Sequence, residues 1–240
     1  MIDIHCHILP GLDDGAGTMD EALSMARMAA SDGIHTIVAS SHMTPGVYDN
    51  TPDRICAAAE ALDDRLRREG IPIRIVPGAD VRITPELLRG NGHYLCIGRR
   101  TPYLLLEFPH DLIPPGSDRL IGALRDRGVV PVITHPERNA DLQRRPEKLT
   151  PFIEMGCLVQ VTAMSLTGEF GPRALDAAER LMKEGRVHCI ATDAHDTVKR
   201  PPILFRAVRR AGELVGEAAA KRMVVDWPQR IIRGERLEVG

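Results

Sequence analysis

The chain has 240 residues, 43% hydrophobic and 3% aromatic, with a formal net charge of -2. That suits one α/β barrel with an aliphatic core, and it makes no electrostatic case for binding nucleic acid or an anionic membrane. No apolar run is long enough for membrane insertion, and the opening MIDIHCH lacks the charged and apolar regions of a signal peptide, so a cytoplasmic protein beginning at Met1 is expected.

The predicted elements alternate. Ile2–Ile8 reads as a strand, followed by a helix over Thr18–Asp32 with Asp20 and Glu21 in its first turn. His35–Ser40 is strand-like, and Pro52–Glu69 is a helix closed by Gly70. Ile73–Val76 is the third strand, with a short helix after Pro85. Tyr103–Phe108, Val129–Thr134, Cys157–Ala163 and Val187–Thr192 complete the strands; helices over Ser117–Arg127, Pro146–Met155 and Pro172–Glu184 separate them. Helices over Pro202–Val215 and Gly216–Val225 finish the chain. Seven such alternations point to a parallel barrel or an open doubly wound sheet. Neither G-x-x-x-x-G-K-[ST] nor G-x-G-x-x-G occurs, which favours the barrel, and no repeat or linker interrupts a single domain over 1–240.

Chemistry concentrates at the C-terminal ends of the strands, where barrel enzymes build their sites. Strand alternation puts His5 and His7 side by side, with Cys6 turned away. Asp14 follows them in the loop; His42, Asp80, Glu107 and His135 end or terminate the next four strands, and Asp193 and His195 follow the last. Five histidines and four carboxylates exceed what one catalytic zinc uses, about three protein ligands, so two or three ions with a bridging carboxylate are expected. Nitrogen and oxygen donors suit Mn, Fe or Zn. The other histidines, His35, His93, His110 and His188, stand away from strand C-termini and are assigned structural or surface roles.

These motifs, IDIHCHILPGLDDG, TIVASSH, PGADVRITPE, LLLEF, PVITHPER, IATDAH, KRPP and DWPQRII, resemble the PHP (polymerase and histidinol phosphatase) family over nearly the whole chain. The similarity is greatest to its bacterial manganese-dependent protein-tyrosine phosphatases of capsule and exopolysaccharide operons. The resemblance implies a distorted (β/α)7 barrel of TIM-like form holding three metal ions, Mn2+ before Fe or Zn, and a phosphotyrosine protein, a cognate bacterial tyrosine kinase, as partner. By position, His5, His7, Asp80 and Asp193 would hold one ion. Asp80, Glu107 and His135 would hold a second, and Asp14, His42 and His195 the third. Arg138 and Arg200 match arginines that position the substrate phosphate. Asp80 stands where that family usually has glutamate, one methylene longer.

The implied activity is phosphomonoester hydrolysis, in which bridged ions activate water and clamp the attacking and leaving oxygens. A cysteine phosphatase would need C-x5-R, but Leu12, Leu62, Pro102, Ala163 and His195 stand six residues after the five cysteines. The cysteines form no C-x-x-C pair, fitting reduced thiols. A histidinol-phosphatase-like or other small-molecule phosphoesterase shares the motif set. An amidohydrolase also starts with His-x-His, yet none of Lys148, Lys183, Lys199 and Lys221 ends a predicted strand to supply a carboxylated lysine. A non-catalytic metal-binding regulatory module would be marked by a lost ligand, and only the Asp80 change is found.

Overall fold

Strands covered by helices on a parallel sheet are apolar on both faces, and IDIHC, YLLLE and LVQVT are buried at every position. The computed structural model describes residues 1–89 and 94–237. Among these residues seven strands form one parallel sheet in sequential order: β1 (Ile2–Cys6), β2 (Thr36–Met43), β3 (Arg74–Arg82), β4 (Tyr103–Glu107), β5 (Val130–Thr134), β6 (Leu158–Thr162) and β7 (Cys189–Ala191). The sheet curls until its edges meet. Cys6 bridges Ala194 in parallel, Asp193 N donates to His5 O at 2.8 Å, and His7 N donates to Ala194 O at 2.8 Å. The expected distorted barrel is what the chain builds.

The helices are α1 (Met19–Ser31), α2 (Pro52–Arg68), α3 (Ser117–Asp126), α4 (Ala140–Arg144), α5 (Thr150–Glu154), α6 (Ala163–Thr167), α7 (Pro172–Lys183), α8 (Phe205–Val215), α9 (Glu217–Val224) and α10 (Asp226–Arg233). Helix α1 starts with a capping box between Thr18 and Glu21, which satisfies two otherwise free backbone donors. The helix expected over Pro146–Met155 is instead a 3-10 turn, Pro146–Leu149, running into α5. Sequence periodicity missed α4, α6 and α10. Helices α4 and α6 have five residues each and α10 eight, too few for a helical period to stand out, and their stability comes from packing. Helix α10 sets Ile231 against the barrel strands.

Each inward column of side chains changes character along its strand. Val76, Gly78 and Asp80 share one face of β3; Tyr103, Leu105 and Glu107 share one of β4; Leu158, Gln160 and Thr162 share one of β6. The N-terminal members join Val38, Val132, Cys189, Ala191 and Ile231 in an apolar plug, and the C-terminal members form the polar mouth. A second, larger cluster fills the layer between sheet and helices.

Strand β1 departs from the alternation expected for it. Ile2 and Ile4 lie in the plug, whereas Cys6 and Ile8 belong to the outer cluster, and the β1–β2 register shifts between Asp3 and Cys6. A bulge at this point re-aims the strand, so His5 and His7 turn inward above Ile4. Fully buried Asp3 accepts from His5 N at 3.3 Å, from Thr192 N at 3.0 Å and from the Thr192 hydroxyl. That carboxylate fastens β1 to the segment after β7, where few backbone bonds do so. Asp3→Ala leaves Thr192 N without an acceptor and is expected to cost about 1–3 kcal/mol, measured as a lower urea midpoint with an unchanged slope.

Candidate active site

The mouth of the barrel brings all nine metal-ligand candidates from the sequence together. His5 Nε2 lies 3.1 Å from His7 Nε2, 3.4 Å from Asp193 Oδ1 and 3.7 Å from Asp80 Oδ2. His7 Nε2 is 3.3 Å from Asp193 Oδ1. Asp80 Oδ2 also lies 3.4 Å from His42 Nδ1 and 4.0 Å from His135 Nε2, which is 3.7 Å from Glu107 Oε1. Asp14 Oδ1 stands 3.6 Å from His42 Nε2 and 3.5 Å from His195 Nε2. Ligand atoms within 4.8 Å of one another define the groups His5–His7–Asp193, His5–Asp80–His135, His42–Asp80–Glu107 and His7–Asp14–His42–His195.

Local backbone sets these directions. His42 lies within β2 opposite Asp80 in β3. Strand β7 ends at Ala191, so Asp193 and His195 lie beyond it, on either side of Ala194, which bridges Cys6. Asp193 (φ 51°) and His135 (φ 34°) both adopt left-handed backbone, a conformation that costs a non-glycine residue energy and persists only under surrounding restraint. Gly15 is required by contact, since a Cβ there would lie 2.0 Å from His7 O.

A second set of side chains, which the sequence reading did not single out, orients the first. Gln160 Oε1 lies 2.9 Å from His5 Nδ1. Asp13 Oδ2 lies 2.9 Å from His7 Nδ1 and accepts from His42 N at 2.9 Å. The Thr134 hydroxyl donates to Asp80 Oδ1 at 3.2 Å, and Arg82 Nη2 reaches Glu107 Oε2 at 2.9 Å. Tyr48 stacks on the His42 ring with centroids 5.4 Å apart. Asp13 was visible in the LDDG motif next to Asp14; Gln160 and Arg82 carried no sequence signal.

The electrostatics are those of a site made for cations. Burial, then the Glu107 charge, pushes the Asp80 carboxyl well above the usual range. Burial takes His5 down to about 3. Burial also opposes the charged form of His7, but Asp13 and Asp193 outweigh it and lift that ring to about 10. The Asp193 carboxyl is held well below the usual range, despite burial, by His5, His7 and Arg200. Among the described residues, Asp80 Oδ2 and His42 Nδ1 are buried without a hydrogen bond. Unsatisfied buried acceptors are costly, and divalent cations satisfy an N/O donor set of this kind. The residues fit the group.

Arg138 and Arg200 both donate to Asp193 Oδ2. Arg138 also lies over the Phe170 ring, 4.4 Å from its centroid. The cysteines have no such setting: burial pushes the Cys96 thiol up to about 11, the Cys157 thiol up to about 12, and those of Cys6, Cys56 and Cys189 above their usual value. Lys148 pairs with Asp141 and Lys183 with Glu179 on the surface. His35 and His188 lie away from the mouth as expected, His188 accepting from Val159 N at 3.1 Å; His93 is outside the described residues. His110 corrects the reading: the structure brings it to Glu107 and His135 at the mouth.

A parallel barrel with imidazoles and carboxylates gathered at one mouth defines the class of metal-dependent barrel hydrolases. Residues 1–233 match the family described as capsular polysaccharide synthesis, CpsB/CapC, and the chain belongs to it. It is 40% identical over 201 residues to the tyrosine-protein phosphatase YwqE of Bacillus subtilis strain 168, covering 83% of this chain and 79% of that one. A solved structure described as YwqE from Bacillus subtilis and CpsB from Streptococcus pneumoniae, "unique metal-dependent tyrosine phosphatases", superposes with a TM-score of 0.93 at 36% identity. It spans 99% of this chain and 96% of its own. A lactonase from Listeria monocytogenes, 16% identical, shares the fold with a TM-score of 0.58 over 98% of this chain and 95% of that one.

Asp13 touches one ligand candidate through its ring and another through its backbone. Asp13→Ala is expected to weaken divalent-metal affinity roughly ten- to a hundredfold, as loss of an outer partner does, read by chelator competition.

Proposed function

We propose that this chain is a metal-dependent protein-tyrosine phosphatase acting in capsular polysaccharide synthesis. Mn2+ is its metal, the cytoplasm its compartment, and the phosphotyrosines of a cognate bacterial tyrosine kinase are its substrate. The observation that carries this reading is the convergence of nine N and O donor candidates beside two paired guanidinium groups, in a chain where burial raises every thiol above its usual value. Its family and its likeness to metal-dependent tyrosine phosphatases support it. No helix among the described residues is long and apolar enough to cross a membrane.

In this assignment His5, His7, Asp80 and Asp193 would hold one ion, Asp80, Glu107 and His135 a second, and Asp14, His42 and His195 the third, with Asp80 common to two of them. When bound, divalent ions supply Lewis acidity that activates water near neutral pH and neutralises phosphate charge. The chain's own residues do the rest. Gln160 and Asp13 fix which ring nitrogens of His5 and His7 face the centre. Arg138 and Arg200, whose forks already converge on one carboxylate oxygen, grip the phosphate oxygens of a substrate entering beside Asp193. Phe170 keeps Arg138 in place through the face of its ring.

Two outcomes test this. Exhaustive chelation should abolish hydrolysis of a phosphotyrosine peptide and Mn2+ should restore it, whereas thiol alkylation should change the rate little. Full activity in demonstrably metal-free protein would sink the reading, and a preference for histidinol phosphate across a substrate panel would redirect it. Arg138→Ala and Arg200→Ala should each lower kcat/KM by about ten- to a hundredfold, the value of a charge-assisted contact worth roughly 1.5–3 kcal/mol. Lys at either position should not fully rescue it. Each single variant should keep its metal content, because the other arginine still holds Asp193 Oδ2.

A further inference from the structure

We propose that His110 is an additional metal ligand, completing the coordination of the ion held by Glu107 and His135; this rests on the metal-dependent reading above. That side of the mouth is poor in free donors. Asp80 Oδ1 is occupied by the Thr134 hydroxyl at 3.2 Å, which leaves Oδ2 alone to serve neighbouring ions. Glu107 Oε2 faces the Arg82 guanidinium at 2.9 Å, which leaves Oε1 toward His135. The ion there is thus offered one shared oxygen, one unshared oxygen and one imidazole, and divalent ions of this class take four to six donors.

His110 stands at that gap. A nitrogen of its ring, the Glu107 carboxylate and the His135 ring nitrogen lie within 4.8 Å of one another, and the two rings are 5.9 Å apart at their centroids. The loop that carries His110 is fastened in this position. Ala140 N donates to His110 O at 2.7 Å, while buried Asn139 donates through Nδ2 to Pro109 O at 2.6 Å and Leu112 O at 3.2 Å. The same Asn139 caps α4 with its Oδ1, accepting from Asp141 N at 3.0 Å and Leu142 N at 2.9 Å. One side chain therefore locks the His110 loop to the segment that begins at His135. The His110 side chain itself is exposed and has no role in the core, so its placement beside two buried donors has a chemical use before a packing one.

The test is metal content and affinity, measured by elemental analysis and chelator competition on the full chain loaded with Mn2+. His110→Ala and His110→Phe should each lose one ion from the complement or hold it at least tenfold more weakly. His110→Asp, which restores a donor, should recover most of the loss. His35→Ala should behave as wild type. Unchanged stoichiometry and affinity in His110→Ala and His110→Phe, with loaded wild type, would overturn the inference and leave the phosphatase reading intact. Loss in His110→Ala but not in His110→Phe would also overturn it, since the ring would then act by packing. An active wild-type protein that binds no metal would overturn both.

Discussion

The structure is organised around a set of ionisable side chains held in the dry mouth of a barrel. His5, His7, Asp80, Glu107, His135, Asp193 and His195 are each at most 6% exposed. Removing such groups from water opposes their charge, and the directions found for Asp80 and His5 record that opposition. The arrangement lasts only because each strand contributes a fixed position and because the apolar plug beneath holds the strands apart. Ile2, Ile4, Val76, Tyr103, Leu105, Val132 and Leu158 form the floor on which the donors stand.

The junction of β1 and β7 is where floor and site are joined. The β1 bulge lets Ile4 fill the interior while His5 and His7 turn into the mouth. Opposite it, β7 stops after three residues and the chain turns through the left-handed Asp193. Asp3 ties the two sides through two contacts to Thr192. Backbone strain at Asp193 and His135 is tolerated because backbone bonds pin both neighbourhoods: Asp193 N donates to His5 O at 2.8 Å, and the His135 carbonyl accepts from Arg138 N at 3.0 Å. The second bond also sets the position of Arg138, so the same short turn places a metal-ligand candidate and a guanidinium group aimed at Asp193.

Asp193 is the point where the two functions of the site meet. One of its oxygens faces His5 and His7 at 3.4 Å and 3.3 Å, and the other accepts from both arginines. A carboxylate shared in this way holds the guanidinium forks next to the metal-ligand candidates, so on the proposed function phosphate would be gripped beside the reaction centre. The cysteines, by contrast, lie in apolar layers where burial raises every thiol, which separates this chemistry from thiol catalysis by physical environment as well as by motif.

By itself the sequence determined the alternation of strands and helices, the parallel barrel, and the donor candidates His5, His7, Asp14, His42, Asp80, Glu107, His135, Asp193 and His195, because apolar runs and polar strand ends are local patterns. Its family motifs were legible for the same reason. What it could not determine was any arrangement that depends on residues far apart in the chain. The β1 bulge, the Gln160–His5 contact across 155 positions, the Arg82–Glu107 pair and the approach of His110 to His135 arise only when the sheet closes. Strand alternation assumes a regular ladder, and it failed at β1 and after β7, where closure forces the backbone out of register and into left-handed turns. The donors were written in the chain; their mutual distances were decided by the curvature of the barrel.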